Sequence, residues 1–352
     1  MPKTHNNLYE QIISLDSLYA AHKQVQKGKK YNDVAAYARD HIEEIIDELR
    51  SRLINMTWQP DPYRRFWTRK EVKRRKVDEP SYRDRLLHNA IVTNTLPYFA
   101  KKFIFDSYAV TPGKGQHQAV FRAQEFIRRA SKNGDVYILQ CDIRHYYASI
   151  NHDILLEQIK RTVRDKRLLT IWQRIIDGYH TEGYPDVGIP IGAVTSQLSA
   201  NIYLNPFDHF IKECAEWKEY VRYMDDFILI SNNKRKLWSI LADIKWFLDT
   251  QLRLKLNPKT RVINAIDGLD FCGYRIFHSY LLPRKRNVKA AKKRFREMSY
   301  RYNHGTATFE DVNRRVQSFL GYMRHCDGYI TTKSTLKSIK LKGANRNGFR
   351  LH

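Results

Sequence analysis

The sequence Val221-Arg222-Tyr223-Met224-Asp225-Asp226-Phe227-Ile228-Leu229-Ile230 places two adjacent acids between two short apolar runs. This pattern predicts two strands joined by a turn that presents both carboxylates. Burial of acids is costly unless a cation or another partner offsets their charge, so a metal-holding pair is a reasonable interpretation. Two adjacent acids are also typical of a solvated turn, so further acids are needed to decide.

A second strand-like run, residues 136–141, ends directly at Asp142. If this strand and the hairpin lie side by side, Asp142 and Asp225 can share two Mg²⁺ ions, which hold the attacking and leaving oxygens during an in-line phosphoryl transfer. Asp226 is then a neighbouring or weaker ligand. The sequence therefore predicts that Asp142, Asp225 and Asp226 are the catalytic carboxylates.

The overall charge points to a polyanionic partner. The chain has 352 residues and a formal charge of +25, with an isoelectric point near 9.8. Its Lys and Arg residues are spread along the whole sequence among 12% aromatic residues. This distribution favours an extended nucleic-acid track over a single basic tail. The 42% hydrophobic content is enough for a core divided among two or three subdomains.

The cysteines and the N-terminal region carry little functional information. Cys141, Cys214, Cys272 and Cys326 lie far apart in the sequence and form no C-x-x-C pair. We expect reduced thiols without a zinc site. No long apolar run is present, so we expect no signal peptide, no membrane association and a cytoplasmic location.

Six blocks of the sequence resemble the motifs of reverse transcriptases. In chain order they are Ser107–Gly115, Leu139–Ile150, Gly188–Gln197, Tyr223–Asp226, Leu254–Lys259 and Leu269–Tyr274. The second block resembles motif A, and the fourth resembles the Tyr-x-Asp-Asp box. The resemblance implies an α+β right-hand polymerase with fingers, an antiparallel palm sheet and a helical thumb. It also implies RNA-directed DNA synthesis with two Mg²⁺ ions, or Mn²⁺, on an RNA template, with a DNA primer or cDNA product and deoxynucleotides.

The resemblance implies a division into five segments. We expect N-terminal helices and fingers over 1–117, the first part of the palm over 118–150 and a second part of the fingers over 151–190. The palm resumes over 191–278, and a basic helical thumb covers 279–352. Apolar spacing predicts helices over 8–24 and 33–53, and the basic, aromatic stretch 63–76 predicts a fingers hairpin. No nuclease or integrase domain is expected after the thumb, so we expect an accessory protein or a second subunit.

The resemblance also assigns residues to the site. Four are implied at the metal ions: Asp142, Ile143, Asp225 and Asp226. Seven are implied at the incoming nucleotide: Lys73, Arg75, Tyr147, Ile191, Gly192, Gln197 and Lys259. Four are implied at the primer and template: Tyr223, Met224, Ser196 and Gly273.

Several of these assignments have an ordinary structural alternative. A ring at Tyr147 would exclude a ribose 2′-hydroxyl and select deoxynucleotides, whereas a core aromatic would do neither. Lys259 would neutralise the departing pyrophosphate or is simply an exposed lysine. The charged run around Lys73 and Arg75 would bind the triphosphate or form a solvated face. Arg85 is interpreted as structural, paired with Asp84.

The biological setting is suggested by the form of one motif. Ile191 and Gln197 stand where many reverse transcriptases carry Gln and Pro, a form similar to diversity-generating retroelement enzymes and related bacterial groups. Val110-Thr111 departs from the retroelement pattern, which favours an enzyme of antiviral defence. Both settings remain open, as does a catalytically idle RNA-binding scaffold, although the intact acids argue against the scaffold.

Overall fold

A computed structural model describes residues 4–28, 33–68 and 76–342 and confirms a mixed α+β fold. The helices are α1 (Leu8–Ile12), α2 (Leu15–Gln26), α3 (Asp33–Asp40), α4 (Ile42–Ile54), α5 (Tyr82–Ala100), α6 (Gln116–Ala130), α7 (His152–Lys160), α8 (Lys166–Asp177), α9 (Val194–Tyr203), α10 (Asn205–His209), α11 (Lys234–Leu252), α12 (Lys285–Asn303), α13 (Phe309–Met323) and α14 (Tyr329–Leu336). The strands are β1 (Arg64–Trp67), β2 (Lys76–Glu79), β3 (Tyr137–Cys141), β4 (Tyr220–Tyr223), β5 (Asp226–Ser231), β6 (Arg261–Asn264), β7 (Leu269–Phe271), β8 (Tyr274–Ile276) and β9 (Leu281–Pro283).

The strands form three sheets. β1 and β2 make an antiparallel pair, β7, β8 and β9 make a three-stranded antiparallel sheet, and the largest sheet has the order β4-β5-β3-β6. β4 and β5 are the predicted antiparallel hairpin, with Tyr223 opposite Asp226. After the exposed Asp226, the next four residues of β5 are all buried. Such a continuous apolar run is typical of a strand covered on both faces.

By their internal packing, the residues fall into two compact units. Among the described residues, the first comprises 4–28, 33–68, 76–115, 140–229 and 235–261. Its central helix is α5, which packs against α2 and α9 and buries residues around its whole circumference. The second unit comprises residues 116–139, 230–234 and 262–342. There α12 and α13 pack together through an apolar core that includes Phe295, Val316 and Phe319.

Two predicted N-terminal helices are each divided, which corrects the prediction. The stretch 8–24 breaks into α1 and α2 because the Ser14 hydroxyl accepts a hydrogen bond from the Ser17 amide at 3.3 Å and begins a new helix. The stretch 33–53 breaks at His41, whose φ of −119° is not helical. At Ser14 a polar side chain that bonds to nearby backbone thus overrides the apolar periodicity. The five-segment division stays a prediction.

Candidate active site

The Tyr-Met-Asp-Asp turn has an unusual backbone. Met224 has a φ of 56°, in the left-handed region that side chains other than glycine rarely occupy. This conformation lets Tyr223 and Asp226 pair across the tip of the hairpin. Asp225 is half-buried and Asp226 is exposed. The turn therefore presents two carboxylates toward accessible space, as the sequence predicts.

Asp142 is fixed by the segment that follows α11. The Asn257 side-chain amide donates to Asp142 Oδ2 at 2.9 Å, and the Asn257 backbone amide donates to the Asp142 carbonyl at 2.7 Å. Ile143 and Leu256 form an antiparallel bridge beside this contact. Two anchors on the same residue leave the Asp142 carboxylate little freedom to turn away, and it stays half-buried.

The turn and Asp142 come from neighbouring strands. β3, which ends immediately before Asp142, lies beside β5, which begins at Asp226. Burial raises the pKa of Tyr146 well above its usual value, while the charge of Arg222 lowers it and that of Asp225 raises it. Asp142 directly follows the last residue of β3 and Asp225 directly precedes the first residue of β5, so the two carboxylates come from the ends of adjacent strands.

The segment after Asp142 is also joined to the loop before α9. The Ile189 amide donates to the Tyr147 carbonyl at 2.9 Å, and the Gly188 amide donates to the Ile150 carbonyl at 2.7 Å. Tyr147 is half-buried and its ring lies edge-on to the Tyr146 ring, with centroids 5.9 Å apart. Tyr147 therefore joins the motif A segment to this loop through its backbone carbonyl. Its role at the sugar stays a prediction.

The predicted nucleotide residues of the loop differ in accessibility. Ile191 is 39% exposed, and Gly192 and Gln197 are also exposed. Ser196, predicted at the primer and template, is only 3% exposed because it faces inward from the first turn of α9. A contact from the Ser196 side chain to a nucleic acid would thus require local opening.

The base of the β1–β2 hairpin lies against the same loop. The Asp78 amide donates to the Ile191 carbonyl at 2.9 Å. The Asp78 carboxylate accepts from Arg65 at 2.6 Å and from the Tyr179 hydroxyl at 2.9 Å. Gly192 has a φ of 136°, and a Cβ added there would lie 3.0 Å from the Asp78 carbonyl oxygen. Glycine is therefore required by both backbone conformation and close approach.

The predicted basic residues have different outcomes. Lys73 and Arg75 lie outside the described residues. Lys259 is exposed, and its amide donates to Asn257 Oδ1 at 3.1 Å, which leaves both interpretations of its side chain open. Arg85 pairs with Glu79 at 2.7 Å. The predicted pairing of Arg85 with its sequence neighbour is therefore wrong, since successive helical residues point in different directions.

Gly273 occupies a tight turn of the second unit. With Cys272 it joins β7 to β8, and the two residues have φ values of 45° and 88°, as the common two-residue hairpin requires. The Gly273 carbonyl accepts hydrogen bonds from the Tyr322 hydroxyl at 2.6 Å, the Arg284 amide at 3.2 Å and the Asn287 side chain at 3.3 Å. The backbone turn expected of a primer-contacting glycine is present. Its contact with a primer stays a prediction.

The predicted metal ligands with side-chain donors are all carboxylates. Among residues 4–28, 33–68 and 76–342, no group of three or more His, Cys, Asp or Glu side chains forms a metal-binding cluster. Mg²⁺ commonly uses one or two carboxylates and takes its other ligands from water and substrate phosphates. Asp142 and Asp225 supply two carboxylates, with Asp226 beside them. Ile143 has no side-chain donor, so it could contribute only its backbone carbonyl.

Comparison with known proteins establishes the class of this chain. Residues 69–276 match the family model described as reverse transcriptase (RNA-dependent DNA polymerase). The chain belongs to this family, and the predicted enzyme class, an RNA-directed DNA polymerase, is confirmed. The α+β right-hand polymerase fold with antiparallel sheets is confirmed with it.

Individual relatives share low sequence identity with this chain. Protein YkfC of Escherichia coli is 27% identical over 266 residues, which are 65% of this chain and 70% of that protein. The group II intron-encoded protein LtrA of Lactococcus lactis is 22% identical over 360 residues, covering 80% of this chain and 59% of LtrA. A solved apo telomerase from Candida tropicalis is 17% identical with a TM-score of 0.47, covering 68% of this chain and 60% of the telomerase.

Two further findings concern the cysteines and the helices. The four cysteines are free thiols, and Cys141 is buried directly before Asp142. Burial raises the pKa of the Cys141 thiol, so it stays protonated near neutral pH. Within the described parts of the chain, no helix is both long and apolar enough to cross a bilayer.

Sequence reasoning missed two groups that shape the site. Asn257 lies in a quoted motif, but nothing in the sequence indicates that its amide reaches Asp142. Arg222 is a charged residue inside an apolar strand, which is itself a signal of a buried partner. That partner is Asp208, which lies on a separate helix and could not be identified from spacing.

Proposed function

We propose that this chain copies a dedicated noncoding or template RNA into DNA by two-metal nucleotidyl transfer, as part of a bacterial antiviral defence system. The observation that supports the chemistry is the convergence of Asp142 and the Asp225-Asp226 turn on neighbouring strands. Mg²⁺ bound there would neutralise charge on the reacting phosphate oxygens. A primer 3′-hydroxyl would attack the α-phosphate of a deoxynucleotide, and pyrophosphate would leave.

The protein's own residues would orient these reactants. Asn257 holds the Asp142 carboxylate in one orientation. The Tyr147 ring would meet the ribose, and Gly192 would let the backbone approach the incoming nucleotide. Lys259 is exposed two residues after Asn257 and would neutralise the leaving pyrophosphate. Lys73 and Arg75 are proposed for the triphosphate because guanidinium and ammonium groups bind phosphate oxygens strongly.

The proposed chemistry is tested by primer extension on an RNA template with Mg²⁺, comparing the wild type with Asp225→Asn. Asp243→Asn provides a matched control because it neutralises an exposed carboxylate on α11, away from the hairpin. We expect incorporation by the wild type and Asp243→Asn but not by Asp225→Asn. RNA binding without incorporation by any of the three would favour the RNA-binding scaffold.

The defence setting has a specific alternative, an error-prone enzyme of a diversity-generating retroelement. The exposed Ile191 favours this alternative because it replaces a hydrogen-bonding residue in the nucleotide loop with an apolar side chain. Ile191→Gln should then lower misincorporation, and an unchanged error rate would count against it. Val110-Thr111 in the block Ser107–Gly115 favours defence.

The two settings are distinguished by the product made from the native locus. Nucleic acid that co-purifies with the wild type, but not with Asp225→Asn, would be sequenced. Repetitive or homopolymeric cDNA would support defence, and cDNA substituted mainly at template adenines would support the retroelement. The same preparation would identify an accessory protein or second subunit. A cytoplasmic location is part of this proposal.

A further inference from the structure

A buried ion pair lies directly behind the Tyr-Met-Asp-Asp turn. Arg222 and Asp208 are both fully buried, and Arg222 forms a two-pronged contact with the Asp208 carboxylate at 2.7 and 2.5 Å. The Tyr220 hydroxyl donates to the same carboxylate at 2.7 Å. Asp208 belongs to α10, so the pair ties that helix to strand β4.

Arg222 also reaches the turn itself. The other terminal nitrogen of its guanidinium donates to the Met224 carbonyl at 2.9 Å. The nitrogen that pairs with Asp208 donates further to the Ser107 hydroxyl at 3.0 Å. Met224 is the residue in the left-handed conformation, and its carbonyl immediately precedes Asp225. Arg222 therefore sets the orientation of the peptide group between Met224 and Asp225.

Stability alone explains this arrangement poorly. Replacing a buried ion pair with apolar residues of similar volume is often neutral or stabilising, because taking two charges out of water is costly. A rigid fork with several donors, however, can hold a carboxylate and a carbonyl in fixed relative positions, which a lysine cannot do. The backbone reinforces this position, since the Arg222 amide donates to the Asp106 carbonyl and the Arg222 carbonyl accepts from the Tyr108 amide, both at 3.0 Å.

We infer that Arg222, oriented by Asp208, is a positioning residue that holds the Met224 peptide and thereby aims the Asp225 carboxylate. This inference rests on the proposed function, in which Asp225 is a metal-binding carboxylate. Arg222 would thus be added to the residues of the active site, although it touches neither substrate nor metal and acts only through the turn. Asp208 positions Arg222 from a different helix.

The test compares Arg222→Lys with Tyr220→Phe. The lysine keeps the positive charge but cannot pair with Asp208 and reach the Met224 carbonyl together. Tyr220→Phe removes one hydrogen bond to Asp208 and leaves the contact with Met224 intact, so it serves as the control for a purely structural loss. The first readout is hydrogen–deuterium exchange of the peptide spanning residues 220–229. The second readout is primer extension with kcat and the KM for the deoxynucleotide measured separately for each variant.

We expect faster exchange at the turn in Arg222→Lys and a kcat lower by about 10- to 100-fold with little change in KM, since small misplacements of reacting groups cost about this much. Tyr220→Phe should lower the melting temperature but keep exchange at the turn and kcat near the wild type. A folded Arg222→Lys with wild-type exchange and kcat would overturn the inference.

A second variant covers the case in which Arg222→Lys does not fold. Arg222→Met, Asp208→Leu and Tyr220→Phe combined remove both charges and the hydroxyl together, which leaves no unpaired buried charge. We expect this protein to melt near the wild type but to show fast exchange at the turn and low kcat; slow exchange at the turn would refute the inference. If the wild type incorporates no deoxynucleotide while Arg222→Lys still loosens the turn, the proposed function fails and the positioning role stands.

Discussion

Removal of the Asn257 amide should weaken the response of this enzyme to Mg²⁺. In Asn257→Ala, Asp142 loses the 2.9 Å hydrogen bond to its Oδ2 atom but loses no backbone contact, since the amide of residue 257 still donates to the Asp142 carbonyl at 2.7 Å. The substitution also removes the acceptor of the exposed Lys259 amide, Asn257 Oδ1, at 3.1 Å, but the only contact it removes from Asp142 is the one that orients the carboxylate.

The expected size follows from the type of bond. A hydrogen bond to a charged group contributes about 1.5–3 kcal/mol, which corresponds to a factor of roughly 10–150 in an equilibrium constant. Asp142 is half-buried, so water can replace part of the lost interaction. We therefore expect the lower end of the range, about tenfold, which also matches the usual cost of losing a hydrogen-bond partner of a metal ligand.

The assay is primer extension over a range of Mg²⁺ concentrations at saturating deoxynucleotide. Asn257→Ala should shift the Mg²⁺ midpoint upward about tenfold and recover most of its rate at high Mg²⁺. Lys255→Ala is the matched control, because its exposed side chain lies in the same segment while its carbonyl still accepts from the Arg144 amide. A midpoint equal to that of the wild type, in a protein with an unchanged melting temperature, would refute the reasoning.

Three further outcomes are expected. Tyr147→Ala should relax selection against ribonucleotides by about 100-fold in competitive primer extension, and unchanged selection would identify a core aromatic. Gly192→Ala should lower stability by about 1–3 kcal/mol, since the new Cβ would lie 3.0 Å from the Asp78 carbonyl in a strained backbone; Gly115→Ala, with nothing within 4 Å, should be neutral in the same thermal melts. Burial raises the pKa of Asp84 from 3.8 to about 6, so the folded chain retains a proton that the unfolded chain releases. The contribution of Asp84 to the free energy of unfolding is then greatest below about pH 4 and declines by about 3 kcal/mol as pH rises through 6. Asp84→Asn should flatten this decline in denaturant titrations at several pH values, and an unchanged dependence of stability on pH would contradict the prediction.

The parts of the site that lie close together in sequence were predictable. The β4–β5 hairpin and its two acids follow from the apolar runs on either side of Asp225 and Asp226, and Asp142 follows from its place at the end of an apolar strand. The family match then confirms the enzyme class. In these stretches local pattern and global fold agree.

Contacts between distant segments were not predictable from pattern. Nothing in the sequence pairs Arg222 with Asp208 or Asn257 with Asp142, because a hydrogen bond between segments depends on tertiary positions rather than on periodicity. The breaks at Ser14 and His41 were missed for a related reason. Each depends on backbone and capping geometry at one residue, which an apolar spacing rule does not register.

The Gly273 turn has a consequence for how this part of the chain fluctuates. A flip of its peptide plane would break three hydrogen bonds to the carbonyl, from the Tyr322 hydroxyl, the Arg284 amide and the Asn287 side chain. At about 1 kcal/mol each, the flipped state would be populated below roughly 1%. The turn therefore behaves as a single conformer at equilibrium. A primer that contacted it would bind a surface that is already ordered, so binding would cost little further conformational entropy at the turn.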